Sequence, residues 1–112
     1  MKANPIESPK DECKNILLEL GFPVHCTGYK QLKVGIPQFA LDDQQSLAYE
    51  LYPFISQTLN CTQPSAVERS IGRSIARAWQ YGSRDAWEKY FPGSRRAPTN
   101  KRFIATIAEY IK

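Results

Sequence analysis

No apolar run in this 112-residue sequence approaches the roughly 20 residues needed to cross a bilayer as a helix, so no membrane-spanning helix is expected. Met1–Pro9 lacks the apolar stretch of a secretory signal. Cysteine is scarce: Cys13, Cys26 and Cys61 are odd in number, widely spaced and form no CxxC pair. That pattern argues against a disulfide frame and for reduced thiols in a cytoplasmic protein, with two of the three serving as core filler. His25 is the one histidine. A structural zinc site would need it together with all three cysteines at unusual spacing, so no metal or cofactor is expected. His25 adjoins Cys26, but neighbours along a chain seldom face each other, and a packed or surface loop histidine is the expectation. Paired carboxylates at useful spacing and a phosphate-cradling glycine loop are also missing, which leaves little from which to build an active site. An enzyme is not expected.

What remains is an ordinary globular composition, 42% hydrophobic and 23% charged, of a length that suits one domain. Residues 1–9 look like an irregular leader and 10–112 like a single helical domain. Charge is unevenly placed. Residues 1–62 hold five Lys/Arg against seven Asp/Glu, a net of −2, whereas residues 63–112 hold ten against four, a net of +6. A field concentrated in one half of a small domain suits a surface that meets a polyanion. It also suits an uneven solvated surface, so position has to decide.

The hydrophobic pattern is helical throughout, with no convincing strand. Ser8-Pro9-Lys10-Asp11 resembles a capping box with proline at the first helical position. Cys13, Ile16, Leu17 and Leu20 then form one apolar stripe that Gly21 and Pro23 end. A second helix places Tyr29, Leu32, Ile36, Phe39 and Ala40 on one face, with a kink or break expected at Pro37. Asp42 or Asp43 can cap a third helix burying Leu47, Leu51, Ile55 and Leu59, its halves offset at Pro53. Asn60 suits a left-handed turn.

The fourth helix is expected from Pro64 to Trp79, capped by Thr62 or Gln63. Val67, Ile71, Ile75 and Ala78 fall in a narrow arc, and Ala66, Arg69, Arg73 and Arg77 lie opposite. Such a helix fits the major groove, where the planar arginine fork can donate two hydrogen bonds to guanine. The bland alternative is a helix with solvated arginines. The short Asn-containing turn and the Pro-Ser helix start favour a helix-turn-helix. Small residues Ala66, Ser70, Gly72 and Ala76 on the outer face would let the helix approach a groove wall.

Ser83 caps a short helix with Ala86, Trp87, Tyr90 and Phe91 inward. Residues 92–98 form a basic Gly/Pro-broken loop whose Arg95 and Arg96 suit phosphate contacts. Thr99 caps a last helix that buries Phe103, Ile104, Ile107 and Ile111. Lys101 and Arg102 in its first turn oppose the helix dipole, a conflict that bound phosphate would relieve. The expected fold is all-α, a compact bundle of about six helices containing a helix-turn-helix.

Several stretches, taken in order, resemble the C-terminal effector domain of the stage-zero sporulation response regulator, the master transcription factor of endospore-forming bacteria. They are Gly21-Phe22-Pro23-Val24-His25 with Gly28-Tyr29, Glu50-Leu51-Tyr52-Pro53, and Pro64-Ser65-Ala66-Val67-Glu68-Arg69-Ser70-Ile71 through Ala78-Trp79. Pro98-Thr99-Asn100 with Phe103-Ile104-Ala105 closes the match, which covers about residues 12–112. The resemblance implies six helices with the helix-turn-helix in the third and fourth. It implies binding to a short double-stranded DNA box, often as tandem self-associating copies, and contact with RNA polymerase sigma factor.

Carried over by matching position, Glu68 and Arg69 take base-reading or groove-facing roles. Arg73 joins them as a base reader, while Ser65, Ala66, Arg77, Arg95, Arg96 and Lys101 face groove wall or phosphate. Glu68 has a second reading, because Ser65-x-x-Glu68 also has capping-box spacing. The chain departs from the family at Ala66, where arginine is usual, at Gly72, usually basic, at Arg73, often histidine, and at Ala97, usually lysine. A shorter loop precedes Pro98. The receiver domain that precedes this domain in the family is not found in this sequence, so either an excised piece or a stand-alone regulator is expected. The leader resembles no linker, which slightly favours the stand-alone case, with activity following concentration or a partner. The alternative function is a protein-binding module that kept the fold and lost specific DNA binding.

Overall fold

The computed structural model describes residues 8–60 and 63–112. Six α-helices follow one another: α1 (Pro9–Leu20), α2 (Thr27–Leu41), α3 (Tyr52–Thr58), α4 (Pro64–Tyr81), α5 (Arg84–Tyr90) and α6 (Asn100–Ile111). A π-helical turn at Leu47–Leu51 leads into α3, and no strand occurs among the described residues. The fold is all-α, as the helical periodicity implies.

The helix ends follow local chemistry. Ser8 caps α1 by accepting from the Asp11 amide at 3.2 Å, with Pro9 opening the helix. Gly21, at φ 102°, closes it, its amide donating to the Leu18 carbonyl and the Phe22 amide to that of Leu17. Those two bonds are the Schellman pattern. Ser83 and Thr99 cap α5 and α6 as their sequence positions imply. Asn60 takes φ 51°, in the left-handed region.

Two expectations change. Pro37 does not break α2, which runs unbroken from Thr27 to Leu41. Pro37 and Lys33, whose carbonyl loses its usual donor, are both half-buried. Neither aspartate caps the third helical segment. Asp42 ends α2 in an extended conformation and accepts from the Gln44 amide at 3.0 Å. Ser46 is the cap instead, accepting from Tyr49 N while its own amide donates to Glu50 Oε1 at 2.8 Å. This reciprocal box is one residue longer than the usual one because a π turn carries one more residue per closed ring. That turn offsets Leu47–Leu51 from α3 and puts Pro53 in the first turn of α3, where its missing N–H is harmless. Leu51 and Ile55 are buried, but Leu47 is half-buried and Leu59 is exposed, past the end of the helix.

The core gathers all six helices around Trp87, whose indole N–H is shared between the Leu20 and Ala78 carbonyls at 3.0 Å each. Phe91 and Phe103 pack on it with ring centroids 5.4 and 5.9 Å away, and Phe22 packs in turn on Phe103 at 5.5 Å. The ends of α1 and α4 meet at glycine: a Cβ at Gly82 would lie 2.1 Å from the Leu20 carbonyl oxygen. No other residue fits there. Against this frame α4 packs one face on α2 and α3 and turns the other outward.

Candidate nucleic-acid interface

α4 runs two residues beyond the expected Trp79 end, to Tyr81. Its stripe of Val67, Ile71, Ile75 and Ala78 is buried, each no more than 3% exposed. Ser65, Arg69, Arg73, Ala76 and Arg77 are exposed on the opposite arc. None of these arginines enters an ion pair among the described residues. Arg77 lies over the Tyr81 ring, 5.5 Å from its centroid, which leaves its N–H edge available. The result is an unneutralised cationic ridge along a helix whose width suits a major groove.

Gln63 stands at the N-cap, and no side chain closes that cap. Pro64 is already helical, so Ser65 sits one turn position too late for a capping box with Glu68, and that role for Glu68 is removed. Thr62, the other candidate cap, lies outside the described residues, as does Cys61. The Glu68 side chain is exposed on the flank of the ridge, while its backbone carbonyl accepts from Asn100 Nδ2 at 3.0 Å.

That asparagine is a bridging residue whose role the sequence did not mark. Its amide also donates to the Tyr52 hydroxyl at 3.1 Å, so the first residue of α6 holds both α3 and α4. Burial pushes the Tyr52 hydroxyl above its ordinary pKa, and the nearby Glu68 carboxylate adds to the shift, so the phenol stays protonated at neutral pH. The only hint in sequence was the Pro-Thr-Asn helix start, which signals a cap and not a bridge.

Two small residues assigned to the outer face lie elsewhere. A Cβ on Gly72 would contact Asn100 Oδ1 at 3.4 Å, and the Ser70 carbonyl faces Gly28 of α2. Both are half-buried flank residues, because α2 and α6 clasp the helix on either side. Ala66 is likewise half-buried, at a cleft between α4 and the first turn of α2. Gly28 permits that cleft: a Cβ there would fall 1.9 Å from Ser74 Oγ. Thr27 and Gly28, in the first turn of α2, line the same cleft as Arg73 and Arg77.

The family model described as sporulation initiation factor Spo0A C terminal matches residues 13–111. The chain belongs to this family. It is a family of DNA-binding transcription-regulator domains and not of enzymes. The helix-turn-helix that the family resemblance implied is α3 and α4, joined through Asn60.

The remaining candidates divide in this Spo0A-family domain. Arg95 and Arg96 are exposed in the loop before α6. Lys101 is exposed too, but its ammonium leans 5.6 Å over the Phe39 ring of α2. Arg102 donates to Ser94 Oγ at 3.1 Å and lies over the Phe91 ring, 5.8 Å from its centroid. The two thiols among the described residues hold structure. Cys13 is fully buried against the Leu32 carbonyl, and burial pushes its pKa up to about 12 despite the opposing charge of Lys33. Cys26 caps α2 by accepting from the Tyr29 amide at 3.4 Å, and His25 is an exposed loop residue. No cluster of three or more metal-ligating side chains occurs among the described residues, and no described helix is long and apolar enough to cross a membrane.

Proposed function

We propose that this chain is a sequence-specific DNA-binding transcription regulator that inserts α4 into the major groove. The observation that carries the reading is the exposed, unpaired ridge of Arg69, Arg73 and Arg77 on the second helix of a helix-turn-helix. Arg69 and Arg73 read guanine edges through their planar forks, and Glu68, with no capping duty, accepts from cytosine N4. Ser65, Ala66 and Arg77 face the groove wall, and Arg95, Arg96 and Lys101 hold phosphates on either side. Without an arginine at position 66, the box differs from the one the family usually reads. Tandem self-association on DNA and contact with RNA polymerase sigma factor complete the proposal, which places the protein at the chromosome in the cytoplasm.

Selection of bound sequences from a random duplex pool tests it, followed by titration of the winner against salt. A box should be enriched, and log affinity should fall with log salt at a slope near −0.9 per neutralised phosphate. Failure to enrich any sequence would sink the reading and leave the fold as a protein-binding module.

A further inference from the structure

A groove of about 1000 Å³ lies away from α4, which contributes no lining residue to it. It is bounded by the start of α1, the later turns of α2, α3 and the end of α6. Its floor is apolar, built from Val34, Pro37, Leu41, Phe54 and Ile111. Leu41 is 81% exposed, although it projects from a helix whose other face is core. Lysines line the α1–α2 side: Lys10 and Lys14 are exposed, and Lys33 is half-buried with its ammonium 5.3 Å over the Tyr29 ring. Lys112 at the far end is already held by Asp43 and Glu109. Asp11 is the only acidic residue along the described lining.

We propose that this groove docks an acidic amphipathic helix of a partner protein, its apolar side on the floor and its carboxylates toward Lys10, Lys14 and Lys33. An apolar floor between helices accepts anchors at helical spacing, and a one-sided basic rim orients and steers an acidic face. Nucleic acid fits poorly, because a mostly apolar floor offers phosphates few donors. The groove and the arginine ridge share no residue, so a partner seated here leaves α4 free for DNA.

Selection from a displayed library of random 16-residue peptides on the whole chain tests the proposal. Enriched peptides should combine Asp/Glu with Leu, Ile, Phe or Met at helical spacing. The double variant Lys14→Glu/Lys33→Glu should weaken the best peptide by about tenfold or more, and Leu41→Asp by a similar factor. All three positions are surface or half-buried, so helix content by circular dichroism should not change, and Leu41→Asp, which removes no cation, should leave affinity for random duplex DNA unchanged. No enrichment, enrichment of basic peptides, or a best peptide indifferent to both variants would overturn it. So would loss of duplex binding in Leu41→Asp, which would make the groove part of the DNA surface. Self-association of the free chain abolished by Leu41→Asp would assign the groove to a second copy and overturn it too.

Discussion

α4 and α6 bury equivalent apolar stripes in one core, yet their outward faces behave differently. Cations on α6 are drawn into the protein: Lys112 pairs with Asp43 and Glu109, Arg102 with Ser94 and Phe91, and Lys101 leans over Phe39. Those on α4 are unneutralised, with Arg69, Arg73 and Arg77 outside every ion pair of the described residues. Both helices contribute to the +6 of the C-terminal half, but α4 presents a whole ridge of cations, whereas on α6 only Lys101 is proposed to reach a phosphate. Counting charge therefore finds the half of the chain that matters, and the local partners of each cation find the face.

The comparison breaks first at the shared core. Ile75→Ala on α4 should cost ~2–5 kcal/mol and Phe103→Ala on α6 ~3–5 kcal/mol, because each removes a fully packed side chain. Equilibrium urea unfolding measures both, and a cost under ~1 kcal/mol at either would mean that the helix is not core-bound.

Arg69→Ala should leave folding intact and weaken binding to the selected box by ~1–3 kcal/mol, relaxing one base position. Equal losses on the box and on random duplex would remove its reading role. Asn100→Ala severs the hydrogen bonds from α6 to Tyr52 and Glu68, at a net ~0.5–1.5 kcal/mol of stability each. It should also weaken box binding without changing the preferred bases, since it holds α4 and touches none of them. An altered base preference would show that Asn100 reaches DNA itself.

Lys101→Ala should weaken all sequences alike and reduce the salt slope by about 0.9. An unchanged slope would mean that the lysine stays on Phe39 in the complex. The smallest effect concerns pH. The Tyr90 hydroxyl donates to Glu19 at 2.7 Å and holds its carboxyl below the ordinary value, with Lys89 adding to the shift. This clasp ties α1 to α5, and Tyr90 packs edge-on against Tyr110 of α6. Its contribution is present above the unfolded carboxylate pKa and is lost as pH falls through the lower folded one. Glu19→Gln should flatten that acid limb of the stability profile, and an unchanged limb would place the loss elsewhere.

Sequence alone determined the parts of this protein that depend on neighbours along the chain. Ser8, Ser83 and Thr99 mark caps because a short oxygen side chain reaches an amide three residues on. The stripes of α1, α4 and α6 show because one helical face must be apolar to be buried. The arginine ridge is visible for the same reason, as the complement of such a stripe. Pro37, where the sequence predicts a kink or break, does not end α2, because the packed fold holds one helix from Thr27 to Leu41 across it. The π turn escaped because its bonds compete closely with α-helical ones and Ser46 with Glu50 decides between them. Gly72 and Ser70 were placed outward because a helical wheel does not know that α2 and α6 clasp both flanks. Tertiary structure alone decided that Asn100 bridges two helices, that Gly28 lets α2 approach α4, and that Asp43 holds Lys112. The first two are meetings of residues 32 to 48 positions apart and the last of residues 69 apart, and such contacts leave no periodicity in the chain.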